Sequence, residues 1–275
     1  MKRTVICMKW GKAHASDYVN VLASAVRRNL HEEHRFVCLA DDAEGISPDV
    51  ETLPIPDMGL SPGNLRFGCW PKISLFKPEL HDLFGRALYI DLDSMICGDL
   101  APMFDVPGTL VMIKEWPRPI DRLKISRPVR GASGVIAFEI GALGHIYEEL
   151  VQAPNYWTST VRNDQRFTWN QQGERGVTFW PESWVISFKR HLLHPPLVNR
   201  VLSPRVPPPV TRILAFHGRP RSAELVPDDQ QAWGDFWRAG RGAVPWFREY
   251  WLSNGGRETV DAIGPLRDWR GRPIN

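Results

Sequence analysis

The sequence predicts an α/β fold, with a mainly parallel central sheet flanked by helices and a C-terminal aromatic helical extension. Three observations predict it. Short, almost wholly apolar runs recur through the first half, as strands buried on both faces require. Between them lie segments whose apolar residues keep the 3.6-residue helical period. Beyond Arg221, aromatic residues crowd into a tail that reads as helices packed on the main domain.

Thr4 to Met8 reads as a buried strand, followed by a turn at Trp10-Gly11-Lys12. Ser16 or Asp17 then caps a helix whose apolar positions Val19, Leu22, Ala23 and Val26 share one face. Arg35 to Ala40 is a second strand ending at Asp41-Asp42, and Val50 to Ile55 a short third, stopped by Pro54 and Pro56. A helix from Pro71 to Leu80 leads into Arg86 to Ile90, a strand that runs out on Asp91-Leu92-Asp93. Thr109 to Lys114 and Gly134 to Glu139 are further strands, the second followed by a helix from Ala142 to Gln152. Asp164 to Gln171 is a short helix, Pro204 to Pro209 a proline-rich loop, and Leu214 to Phe216 a last strand running into His217-Gly218-Arg219-Pro220. The tail carries Trp233, Phe236, Trp237, Trp246, Phe247, Tyr250 and Trp251. The organisation expected is a main domain over 1–221 and an extension over 222–275.

Composition narrows the classes of function. Of 275 residues, 43% are hydrophobic and 24% charged, which excludes a disordered or collagen-like chain. Mean hydropathy is −0.28 and no apolar run reaches the ~20 residues of a membrane-spanning helix. The opening MKRTVICMKWGK lacks the apolar stretch of a secretory signal, so a cytoplasmic protein is expected. Net charge is only +3, although 26 of the 34 cations are arginines. They do not form one long basic block, so nucleic-acid binding is not expected. The four cysteines, Cys7, Cys38, Cys69 and Cys97, lack metal-binding spacing.

Four segments carry candidate chemistry. In Tyr89-Ile90-Asp91-Leu92-Asp93-Ser94, the two acids stand at i and i+2 at the carboxyl end of a strand. Residues two apart on a strand share a face, and open α/β sheets bind ligands beyond the carboxyl ends of their strands. Two carboxylates crowded there repel unless a cation lies between them. An oxygen-rich pair of this kind suits Mg²⁺ or Mn²⁺, with substrate phosphates completing the shell. Taken alone, Asp-x-Asp is equally a strand-end turn or a cap. His217-Gly218-Arg219-Pro220-Arg221 offers an imidazole ligand, a glycine for close backbone approach, and two arginines that can clamp a diphosphate. Alone it is an ordinary loop. Arg130 to Phe138 places small residues, Ser133 and Gly134 among them, before a buried strand, where a sugar or phosphate can pass closely or the chain merely turn. Asn163-Asp164-Gln165 groups polar side chains at a helix start, where either Asn163 or Asp164 also makes a plain N-cap.

In this order the four segments resemble the nucleotide-sugar glycosyltransferases of the GT-A fold, a Rossmann-like architecture, especially the family 8-like enzymes. The resemblance runs from the first strand to about Arg221. It implies that Asp91, Asp93 and His217 hold Mn²⁺ or Mg²⁺ against the diphosphate of a nucleotide-sugar donor, with UDP favoured. It implies that Arg219 or Arg221 neutralises the leaving diphosphate beside Gly218, and that Lys9, Trp10 and Asp41 hold base and ribose. Lys72 would face the donor, Ser133 and Gly134 would border the sugar pocket, and Asp164 and Gln165 would form the catalytic pair toward a hydroxyl acceptor. Retention of anomeric configuration is the family's outcome.

Two departures from the family pattern stand out. Ala132-Ser133 occupies a place where asparagine is common, and the arginines follow His217 more closely than the family's lysine does. Two other readings compete. A haloacid-dehalogenase-type phosphatase also uses Asp-x-Asp after a strand, but on its first strand, whereas some 85 residues precede it here. A nucleotide-sugar-binding module without turnover would keep the fold but lose the metal ligands. The aromatic tail is open to a peripheral membrane contact or to shaping an acceptor site.

Overall fold

The computed structural model describes residues 3–61, 69–116, 129–195, 198–234 and 240–258; Phe236 and Trp237 of the expected aromatic tail lie outside them. Strand β1 (Arg3–Lys9) leads to helix α1 (Ser16–Asn29), and β2 (His34–Ala40) and β3 (Glu51–Pro54) follow. Strands β4 (Arg86–Ile90) and β5 (Ser94–Ile96) flank the Asp91-Leu92-Asp93 segment, and helix α2 (Ala101–Phe104) leads into β6 (Leu110–Lys114) and β7 (Gly131–Glu139). Helices α3 (Gly144–Gln152), α4 (Pro154–Thr160) and α5 (Asp164–Gln172) come next. Short strands β8 (Thr178–Phe179), β9 (Val185–Ser187) and β10 (Ile213–Ala215), then β11 (Ala232–Trp233), β12 (Gly240–Arg241) and helix α6 (Pro245–Ser253), complete the described elements.

Seven strands form the main sheet in the order β3-β2-β1-β4-β7-β6-β8. All run parallel except β7, which lies antiparallel to both β4 and β6. Period-2 alternation splits each central strand between two cores. Val5, Cys7, Leu88, Ile90, Val111 and Val135 face the layer that holds α1, while Ile6, Met8, Ala87, Tyr89, Met112 and Ile136 face the layer holding α3 and Trp70–Phe76. Burial on both faces is why these strands read as unbroken apolar runs. A second sheet, β5-β10-β9, continues from the end of β4.

Several expectations are corrected locally. The helix foreseen over 71–80 is a 3₁₀ turn, Trp70–Phe76. Pro78 holds Lys77 in an extended conformation (φ −57°, ψ 132°), and Ser74 donates its hydroxyl back to the Pro71 carbonyl at 2.7 Å. Neither Ser16 nor Asp17 caps α1. Ala15 is the N-cap, and the Asp17 carboxylate accepts from Arg257 Nε (2.8 Å) and Nη2 (2.7 Å) instead. β7 begins at Gly131, so Ser133 and Gly134 are strand residues. A Cβ at position 131 would meet Met112 Sδ at 2.5 Å, which explains a glycine there.

Beyond Arg221, Trp233, Phe247 and Trp251 are buried in the same core as α1. Trp251 packs edge-on against Tyr18, with ring centroids 5.2 Å apart. The Tyr250 hydroxyl accepts from the Ile96 N–H at 3.2 Å. No helix among the described residues is long and apolar enough to cross a membrane.

Candidate active site

The site is built on the carboxyl end of β4. Asp91 is still tied to the sheet there, its N–H donating to the Gly134 carbonyl at 2.8 Å, and the turn closes with Ser94 N–H on the Asp91 carbonyl at 3.1 Å. Tyr89 and Asp91 share a face, and the Tyr89 hydroxyl donates to Asp91 Oδ1 at 2.6 Å. Lys72 arrives from the 3₁₀ turn with Nζ 2.6 Å from Oδ1 and 2.8 Å from Oδ2 of Asp91. Burial alone would lower the Lys72 pKa, but the charges of Asp91 and Asp164 outweigh it and hold the ammonium firmly charged.

Asp164 joins this centre because its neighbour takes the capping role. Asn163 Oδ1 accepts from Arg166 N–H at 2.9 Å and caps α5. The buried Asp164 carboxylate therefore accepts from Ser133 Oγ at 2.8 Å. Gln165 stands half-buried beside it. Asp93, two residues on, is partly buried. Desolvation there, with the nearby Asp91 charge, pushes its carboxyl up to about 7, against the opposing pull of Lys72 and Arg221.

Arg221 is buried and donates through Nη1 to the Ala13 carbonyl at 3.0 Å, which ties the loop after β1 to the site. Burial pulls its pKa down, opposed by Tyr18, Glu224 and Asp93. Arg219 instead turns to Glu224, with Nη2 3.0 Å from Oε2. The two arginines are thus separated in role by Glu224. Two residues that sequence reasoning missed stand here as well. Burial and the charge of Arg221 lower the His14 pKa to about 4, and its ring packs edge-on to Tyr18 at 4.8 Å. The Tyr18 hydroxyl feels both Asp93 and Arg221. Their only sequence signal is position, since both follow the carboxyl end of β1.

Beside this centre, Lys9, Asp41 and Asp42 link the loops after β1 and β2. Lys9 Nζ donates to the Asp42 carbonyl at 3.2 Å, and Asp41 Oδ2 accepts from the Gly11 N–H at 2.8 Å. Trp10 lies half-buried against the core. Gly11 has φ +60°, a left-handed turn that a side chain would strain.

His217 follows β10, which pairs antiparallel with β5, and the Phe216 N–H donates to the Asp93 carbonyl at 3.3 Å. The backbone therefore carries His217 to the edge of the acidic pair. Its side chain is held elsewhere: Nε2 is hydrogen-bonded to Ser187 Oγ at 2.8 Å, and the ring stacks on Trp116 with centroids 5.7 Å apart. Ser187 and Lys189 are further residues the sequence did not flag. Lys189 Nζ lies 3.2 Å from where a Cβ at Gly218 would stand, and Gly218 has φ +66°.

The donor set bears on the expected divalent ion. Among the described residues no three His, Cys, Asp or Glu side chains are grouped to hold a metal. The three-donor set of Asp91, Asp93 and His217 does not stand assembled, because His217 is engaged by Ser187 and Trp116. The two acids themselves suit a hard cation. Asp91 already attracts the Lys72 ammonium, and burial together with the Asp91 charge raises the Asp93 pKa to about 7, a penalty on its ionised form that a cation between the two acids would offset.

No family model and no curated protein matches the sequence. Solved structures do match. The galactosyltransferase LgtC, in complex with donor and acceptor sugar analogs, superposes with a TM-score of 0.59 at 14% identity, covering 98% of this chain and 99% of LgtC. The bifunctional glycosyltransferase WbbM gives 0.56 at 13% identity over 92% of this chain and 49% of its own. The glycosyltransferase GlyE of Streptococcus pneumoniae gives 0.54 at 13% identity, over 94% and 62%. The chain has the GT-A fold, with the mostly parallel central sheet flanked by helices that the sequence predicts.

Proposed function

We propose that the protein is a glycosyltransferase that moves a sugar from a nucleotide diphosphate sugar, of the UDP class, to a hydroxyl acceptor. The observation that carries this reading is the charged centre of Lys72, Asp91, Asp93, Asp164 and Arg221 at the carboxyl ends of the strands, where open α/β sheets take their ligands. LgtC, with the same fold, was crystallised with donor and acceptor sugar analogs. A second LgtC structure carries a glutamine-to-glutamate change in its active site.

In this reading Lys9, Trp10 and Asp41 hold the nucleoside. Arg221, fixed by Ala13, meets the diphosphate and neutralises charge as the nucleotide leaves. Ser133 orients Asp164, which accepts from sugar hydroxyls of donor or acceptor. Asp91 and Asp93 are the residues that would hold Mn²⁺ or Mg²⁺, with His217 joining once its ring turns from Ser187. Such an ion supplies Lewis-acid stabilisation of the departing diphosphate when bound. Lys72 orients Asp91 through both carboxylate oxygens. Retention of configuration follows the family resemblance.

A nucleotide-sugar-binding module without turnover is the second reading, favoured by the engagement of the His217 ring with Ser187 and Trp116. One experiment separates the two. The protein is incubated with UDP-sugars and Mn²⁺, and both binding and slow donor hydrolysis are followed. Hydrolysis that fails in Asp93→Ala supports the transferase. Binding with no hydrolysis, and no transfer to any simple acceptor, supports the module.

A further inference from the structure

None of the described aromatic residues of the tail is among the large hydrophobic side chains left exposed. Trp233, Phe247 and Trp251 point into the core. The exposed apolar side chains are instead concentrated in the proline-rich loop after β9. Five of the eight large hydrophobic residues exposed among the described residues fall within 198–210. Val201 is 85% exposed, Val206 66%, Val210 53% and Leu202 51%. Scattered exposed valines are ordinary, whereas a cluster on one loop marks an interaction surface.

The loop's backbone is not loose. Arg205 N–H donates to the Leu192 carbonyl at 3.0 Å, Pro204 carbonyl accepts from Trp246 Nε1 at 3.1 Å, and Thr211 N–H donates to the Pro208 carbonyl at 2.9 Å. Buried Asn199 clasps His194 through both its side-chain oxygen (2.8 Å) and nitrogen (3.2 Å). The fold pins this loop while leaving its apolar side chains in water.

Charge selects the occupant. Within 198–210 the chain has no acidic residue, and its two arginines, Arg200 and Arg205, are exposed among the valines. Apolar tips interleaved with cations, without acids, match an anionic lipid surface: the tips enter the acyl boundary while guanidinium groups meet phosphates. A nucleic-acid site would be expected to show exposed aromatic or base-reading polar groups instead.

We infer that the loop 198–210 docks the protein peripherally on an anionic membrane surface. This inference stands apart from the proposed transferase activity. The test is co-sedimentation of the full chain with vesicles of phosphatidylcholine containing ~30% phosphatidylglycerol, against phosphatidylcholine alone. Binding is expected to the anionic vesicles only, to weaken with salt, and to fall by about tenfold or more in the variant Val201→Ser/Leu202→Ser/Val206→Ser. Arg200→Gln and Arg205→Gln are each expected to weaken it roughly fivefold. These side chains are exposed, so the melting temperature should stay unchanged. The inference is overturned if the wild type ignores anionic vesicles at low salt. It is equally overturned if the triple variant binds them as well as the wild type, or if a nucleic-acid duplex binds as tightly and the serine variant does not care. A dimer that the serine variant dissolves, with no vesicle binding, would also overturn it.

Discussion

The Lys72 ammonium sits 2.6 and 2.8 Å from the two carboxylate oxygens of Asp91, and no other cation is described so close to that acid. It joins a turn on one side of the sheet to the end of the central strand. The same ammonium feels the charge of Asp164 and opposes the rise that burial and Asp91 impose on the Asp93 pKa.

Replacing Lys72 by Met should therefore leave Asp91 held by Tyr89 alone. Loss of a buried charged partner is expected to lower stability by about 1–3 kcal/mol, and donor turnover by about 100-fold or more. Thermal melting and donor hydrolysis check the two effects separately. An active, equally stable variant would remove Lys72 from the site.

The arginines should part company. Arg221 is buried, tied to Ala13 and near Asp93, whereas Arg219 is committed to Glu224. Arg221→Gln is expected to weaken nucleoside diphosphate binding by about tenfold or more, the worth of one charge-assisted contact. Arg219→Gln should change it by less than about threefold. Calorimetric titration with UDP reads both, and the reverse ranking would reassign the phosphate contact.

His14 predicts a pH dependence. Its native pKa, about 4, lies below the ordinary 6.5, so the unfolded chain binds the extra proton first. Its neutral-state contribution to stability is present above 6.5 and is lost as pH falls from there toward 4, with a slope of at most about 1.4 kcal/mol per pH unit. His14→Gln should flatten that part of the stability curve. Denaturant titrations at several pH values test it, and an unchanged slope would place the ring in water.

The tail should be inseparable from the domain. A chain ending at Arg221 loses Trp251 from Tyr18, Tyr250 from Ile96 and Arg257 from Asp17. Removing Trp- and Phe-sized packing partners costs about 3–5 kcal/mol each, so the shortened chain is expected to lose cooperative unfolding. A normal melting transition in it would show that 1–221 folds alone.

Much of the fold was legible because both faces of the sheet are buried, so β1, β2, β4 and β6 appear as apolar runs whatever surrounds them. Strands β5, β8 and β9 were not, since two or three residues leave no period to read. The 3₁₀ turn at Trp70–Phe76 reads as a longer helix in the sequence because apolar spacing continues past the point where Pro78 stops it. In the site, the acids and Asp164 were visible as motifs. His14, Tyr18, Ser187 and Lys189 were not, because packing alone brings them there from loops and a helix with no pattern of their own. His217 shows the limit from the other direction: sequence order places it just past β10, beside the Asp93 backbone, but its ring partners, Ser187 and Trp116, come from distant elements.

The central claim is that Asp91 and Asp93 form a cation-dependent seat for a nucleotide diphosphate. Titration of UDP into the wild type and Asp93→Ala, with and without Mn²⁺, tests it most directly. The account predicts Mn²⁺-dependent binding in the wild type and its loss in the variant. Equal UDP affinity in both proteins, indifferent to Mn²⁺, would contradict it.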